Sequence, residues 1–226
     1  MGCHMGEARV NTVLTGQSLV SFSSEVSDGE KSDILDCLNY TEMRADRKFN
    51  RQQAWKRWIE RYQAGLFNNG YKLGGVLESN VIRIQHRREL PEVVRGSIQA
   101  TGSPQLGAQG RSALEAMLHS SEVQSFFEDW FSTGRAEAFQ VVPCRRTSDG
   151  QIEVMVCGLN MLVETAVDGW LTAPRLTMVI HVNGGSYLYD KKAFEPYREK
   201  VLGTLERYSR LYFDALMSGK PAASSA

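Results

Sequence analysis

Residues 137–190 read EAFQVVPCRRTSDGQIEVMVCGLNMLVETAVDGWLTAPRLTMVIHVNGGSYLYD. Three tight-turn signals punctuate this stretch: Asp149-Gly150, Asp168-Gly169 and Asn183-Gly184. Between them lie runs rich in β-branched, aromatic and other apolar residues. Gly in the second turn position accepts the positive φ that a two-residue hairpin loop requires. The pattern predicts a four-stranded antiparallel meander.

Two-residue loops would pair Thr147 with Ile152, Val142 with Cys157, Cys157 with Ile180, and Ile180 with Tyr187. Side chains alternate along a strand, so this register sorts them into two faces. One face collects Val142, Cys144, Met155, Cys157, Leu159, Met178, Ile180, Val182, Tyr187 and Tyr189 and must meet helices. The other, with Arg145, Thr147, Val154, Val156, Asn160, Thr177, Val179 and His181, is mixed. Cys144 and Cys157 then read as small core residues, with a cross-hairpin disulfide or a catalytic role as alternatives. A buried thiol without a nearby base is a poor nucleophile, and His181 falls on the opposite face.

Working outward, residues 10–23 predict a strand interrupted near Gly16. Ser27 with Glu30 forms a capping box and opens a helix to about Arg47. Asn50 with Gln53 starts a second helix, whose Trp55, Trp58, Ile59, Tyr62 and Leu66 share a core-facing stripe before the stop at Asn69-Gly70. Residues 71–88 read as a strand or bent hairpin, with Gly74-Gly75 marking a bulge. Pro91 suits the first turn of a short helix to about Ala100. Residues 101–110 read as a loop, and Ser112 with Glu115 as the cap of the next helix. A further apolar helix carries Phe126, Phe127, Trp130 and Phe131, and a long closing helix follows Lys192. Residues 1–9 and Ser218–Ala226 are expected to lie outside a single domain spanning 10–217.

The chain has 226 residues, 42% hydrophobic and 23% charged, with Lys+Arg and Asp+Glu both at 26. A zero balance gives no global attraction to nucleic acid or an anionic membrane. No apolar run approaches the roughly 20 residues of a membrane helix, and no secretory leader is evident, so the expected compartment is the cytoplasm, with non-classical secretion as the alternative. Four cysteines and four histidines match no zinc module, no redox Cys-x-x-Cys and no His-Glu-x-x-His, so no metal or cofactor is expected. Nucleophile elbows and phosphate-binding loops are absent too. The densest basic run holds His86, Arg87 and Arg88. With Arg145, Arg146 and His181 it could form an anion-binding patch. The competing reading is a solvated strand edge whose charges block pairing.

Several motifs are similar to those of a set of soluble, mostly bacterial proteins of this length. Asp33-Ile34-Leu35 is followed by Ala45-Asp46-Arg47-Lys48-Phe49, then by a Trp helix from Trp55 to Gly70-Tyr71, and later by a strand with Phe139 and Cys144. These motifs are structural. The resemblance implies one α+β domain and carries no activity, cofactor or site residue.

The sequence therefore predicts an α+β fold: an antiparallel sheet of five or six strands, helices on one face, and a C-terminal closing helix. The leading expectation is a non-enzymatic binding protein that associates with itself through Phe127, Trp130 and Phe131, or with a protein partner or small ligand. An effector acting on a membrane or a host protein is the second reading. An enzyme with a dispersed site, built from His86, Arg88 and a carboxylate, is the third.

Overall fold

A computed structural model describes residues 11–120, 137–166 and 175–217. Its centre is a six-stranded sheet ordered β1-β2-β4-β5-β6-β3. The strands are β1 (Asn11–Thr15), β2 (Ser18–Phe22), β3 (Lys72–Ile84), β4 (Glu137–Arg146), β5 (Ile152–Ala166) and β6 (Arg175–Tyr189). The described helices are α1 (Asp28–Asp46), α2 (Trp55–Phe67), α3 (Leu90–Gln99), α4 (Pro104–Leu118) and α5 (Lys191–Met217). A 3-10 turn, Arg87–Glu89, leads into α3.

The α+β class, the strand number and the closing helix agree with the sequence reading. The sheet is mixed rather than antiparallel throughout: β2 runs parallel to β4, with Leu19 opposite Val141. Helices cover both faces rather than one. On the first face α1, α2 and α5 enclose Val20, Phe22, Val142, Cys144, Val154, Val156, Tyr187 and Tyr189. On the second, α3 and α4 enclose Leu19, Val141, Met155, Cys157, Leu159, Met178, Ile180 and Val182. Within the first core Trp58 stacks between Trp55 (5.6 Å) and Tyr62 (5.3 Å). Burying each such ring stabilises the fold by roughly 1.5–3 kcal/mol.

The predicted meander contains three strands, not four, because Asn183-Gly184 is not a turn. Both residues lie inside β6, where Gly158 faces Asn183 and Cys157 faces Gly184. A Cβ on Gly184 would sit 1.8 Å from the Val156 carbonyl oxygen. Glycine is required there by close backbone approach, not by chain reversal. Asp168-Gly169 lies outside the described residues, and the last described pair of this hairpin is Ala166 with Arg175.

The first hairpin has a three-residue loop. Thr147 N–H donates to the Gln151 carbonyl (2.8 Å), Gly150 N–H donates to the Thr147 carbonyl (3.0 Å), and Gly150 has φ +85°. This is a type I turn closed by a left-handed glycine. The loop moves the register by one residue, so that Val141 rather than Val142 faces Cys157. A slip of one residue reverses a strand's faces. Cys144 and Cys157 therefore lie on opposite sides of the sheet, which removes the cross-hairpin disulfide, and His181 shares the face of Cys144. Both cysteines are core residues as read: burial raises the Cys144 thiol and pushes Cys157 up to about 12.

Residues 104–110 are helical rather than loop, and Ser112 lies mid-helix. Their glycines mark a tight crossing: a Cβ on Gly107 would meet Gln99 Cγ at 2.9 Å, and one on Gly110 would meet Ile98 Cδ1 at 3.1 Å. The Ser27–Glu30 capping box forms, with Ser27 N–H donating to Glu30 Oε2 at 3.0 Å. Asn50 Oδ1 accepts from Gln52 and Gln53 N–H, but caps only a turn, and α2 begins at Trp55. Residues 1–9, 121–136, which hold Phe126, Phe127, Trp130 and Phe131, and 218–226 lie outside the described residues.

Candidate functional site

The basic residues singled out from sequence do not converge. Arg146 and His86 stand near opposite ends of the sheet. Arg146 belongs with Ile152 and Tyr189, whereas β3 reaches its end at Ile84, opposite Met178. That difference along β6 corresponds to about 35 Å of strand. Arg146 is tied down: its guanidinium bonds Glu30 Oε2 (2.5 Å), the Glu25 carbonyl (3.2 Å) and the Gly150 carbonyl (2.7 Å). Arg145 faces Glu153 across the β4–β5 ladder, and half-buried His181 sits between Asn160 and Val81. His86, Arg87 and Arg88 do stay together, at the 3-10 turn that follows β3.

A polar hollow is lined by Gln17, Glu42, Asp46, Asn50, Arg51, Gln52, Glu137 and Ala138. Its centre is Arg51, which reaches Gln17 Oε1 (2.6 Å), Glu42 Oε1 (2.8 Å) and both Asp46 oxygens (3.0 Å). The guanidinium also lies 4.1 Å from the Trp58 ring, whose Nε1–H donates to Asp46 at 2.7 Å. The cation is bonded to internal partners, and among the described residues no Ser, Cys, His or Lys lines the hollow. The arrangement fastens the β1–β2 turn to α1 and α2.

The arrangement best suited to binding lies at the β3 edge. The sheet has two outer strands. β1 has 5 residues, and its Thr15 is tied to Asn39 (2.7 Å). β3 has 13 residues and, among the described residues, pairs only with β6. Register shifts between Leu73 and Gly75 and between Leu77 and Asn80 interrupt β3, leaving Asn80–Ile84 as its longest regular run. An unpaired edge presents main-chain donors and acceptors ready for another strand.

A groove runs beside this edge. Two hollows, of about 800 and 450 Å³, share Asn80, Ser97 and Ala100 and lie between β3 and α3. Leu77, Ile82 and Ile84 form the strand wall. Val93, Gly96, Ser97 and Ala100 form the helix wall. The helix wall is low because these side chains are small, and a Cβ built on Gly96 meets nothing within 4 Å. Arg83, Arg88, Glu89 and Glu92 stand at one end.

Local side chains occupy the main-chain donors at this edge. Val81 N–H donates to Asn80 Oδ1 (2.8 Å) and Gln85 N–H to Glu89 Oε1 (3.2 Å). Outward-facing groups alternate along an antiparallel edge, so Arg83, midway between these two, also turns its N–H and C=O outward. The Asn80 and Glu89 oxygens thus take the place of the carbonyls of an added strand. Glu89 also accepts from His86 N–H (2.8 Å), so this carboxylate beside His86 and Arg88 serves as a cap for the 3-10 turn.

The sequence reading missed this groove because edge position depends on non-local strand order. The alternation of Val81, Ile82, Arg83 and Ile84 followed at once by a capped helix was the available signal. Among the described residues, no group of three or more His, Cys, Asp or Glu is placed to hold a metal ion, and no helix is long and apolar enough to cross a membrane. No family model, no curated protein and no solved structure matches the chain.

Proposed function

We propose that this protein is a non-enzymatic binding module of the cytoplasm that captures an extended polypeptide segment by adding it as a strand to β3. The observation that carries this reading is the regular run Asn80–Ile84, which no further strand covers among the described residues, flanked by an open groove against α3. Strand addition draws affinity from main-chain hydrogen bonds and selectivity from the pockets that receive alternate side chains. The buried, free thiols of Cys37, Cys144 and Cys157 are in keeping with a reducing compartment.

The test is amide hydrogen exchange with an acetylated hexapeptide of alternating valine and threonine. Protection gained at Val81, Arg83 and Gln85 supports the reading. Unchanged exchange along β3 at millimolar peptide, or protection confined to another strand, refutes it.

Self-association is a second reading, favoured by the opposite face of the same strand. Leu73, Val76 and Val81 are 53%, 65% and 45% exposed there, and Phe67 at the end of α2 is 62% exposed. Light scattering after size-exclusion chromatography should show a dimer that Val76→Lys with Val81→Lys dissociates. A monomer at both high and low concentration excludes it.

A further inference from the structure

The charges around the groove define its occupant more narrowly, provided that β3 takes up a strand as proposed above. Two anions at its Ile84 end are already engaged. Glu92 pairs through Oε1 with Arg111 (2.6 Å) and through Oε2 with Arg95 (2.7 Å). Glu89 Oε1 accepts from the Gln85 and His86 main chain. Arg83 points to the other face of β3, where it lies 3.9 Å from Glu164. One cation remains for the groove. Arg88 is exposed and has no hydrogen-bond or ion-pair partner among the described residues. The other end of the groove carries the opposite sign: Glu78 stands exposed at the second bulge of β3. The groove is therefore polarised, positive beside Ile84 and negative beside Leu77.

We propose that the strand taken up on β3 is an acidic peptide with its carboxylate against Arg88. A segment added antiparallel to β3 places its N-terminal half beside Ile84, so the acidic side chain belongs in that half. The guanidinium of Arg88 supplies two parallel donors that match the two carboxylate oxygens.

The probes are three fluorescein-labelled, C-terminally amidated hexapeptides of alternating valine and threonine, each with one substitution: glutamate at the second position, glutamine at the second position, or glutamate at the sixth, which shares the face of the second. Fluorescence anisotropy should show the second-position glutamate peptide binding about three- to fivefold more tightly than its glutamine counterpart, the range of a solvent-exposed ion pair. The sixth-position glutamate peptide should gain nothing. Arg88→Gln should erase the difference, with circular dichroism reporting an intact fold. Equal affinities for the two second-position peptides, or a gain for glutamate at the sixth position instead, overturn the acidic assignment and leave strand addition standing. Failure of all three peptides to bind overturns strand addition itself.

Discussion

Gly184 offers a direct test of the β5–β6 register. In the structure it is an extended residue pressed against β5, and a Cβ there would lie 1.8 Å from the Val156 carbonyl oxygen. Observed Cβ contacts essentially never fall below 3.0 Å, so Gly184→Ala must separate the two backbones by more than 1 Å or break the ladder locally. Overpacking of this kind costs about 3 kcal/mol or more, because the obstacle is main chain and cannot rotate away. Gly150→Ala is the control. Gly150 has φ +85° in a hairpin loop, and its Cβ would meet nothing within 4 Å, so only the left-handed conformation is penalised, at about 1 kcal/mol. Urea unfolding followed by Trp55 and Trp58 fluorescence should show Gly184→Ala losing about three times the stability that Gly150→Ala loses. In a chain of this length 3 kcal/mol corresponds to a melting temperature lower by roughly 6–12 °C. Equal losses for the two variants would refute the placement of Gly184 inside β6 and restore the turn.

Three other outcomes are expected from buried polar and thiol groups. Arg51→Met strands Glu42, whose side chain is only 12% exposed, and should lower stability by about 3 kcal/mol in denaturant titration; adding Glu42→Gln should recover part of that loss, and no recovery argues against the pairing. Burial tends to raise the Glu30 carboxyl, but the Arg146 guanidinium and the Ser27 donors outweigh it and hold the group below its ordinary value of 4.5. Its contribution is therefore present above that value and lost as pH falls through the folded one, so between about pH 5 and pH 3 the wild type should lose more stability than Glu30→Gln by circular dichroism. Burial, with nearby Asp36 and Asp33, pushes the Cys37 thiol up to about 12. Iodoacetamide at about pH 8 should leave Cys37, Cys144 and Cys157 unmodified in the native protein and alkylate all three in urea, and native labelling at the denatured rate would contradict their burial.

Signals that act within a few residues were legible in the sequence. Ser27 and Glu30 cap α1, Trp55, Trp58 and Tyr62 face the core at helical spacing, and Gly16 turns β1 into β2 with φ +55°. Signals whose meaning depends on a distant partner were misread. Gly184 is small because Val156 is close, and Gly107 is small because α3 crosses there, yet both glycines look like loop residues to a local reading. The parallel meeting of β2 with β4 could not be deduced either, since nothing near Leu19 specifies Val141. The groove was hidden for the same reason. Its strand was recognised, but its place at the edge depends on the pairing of all six strands.

The strand order also shapes how the chain can fold while it is being made. The N-terminal hairpin and β3 flank a centre, β4-β5-β6, that the ribosome produces later. β3 is complete at Ile84, but its partner β6 ends only at Tyr189. At typical elongation rates of 5–20 residues per second, that gap lasts roughly 5–20 s. Throughout it, the edge that β6 will take up is open on the nascent chain, in addition to the outer edge. The protein should consequently depend on chaperones during synthesis more than a helical protein of similar size, and fusing a slowly translated segment between α4 and β4 should reduce its soluble yield.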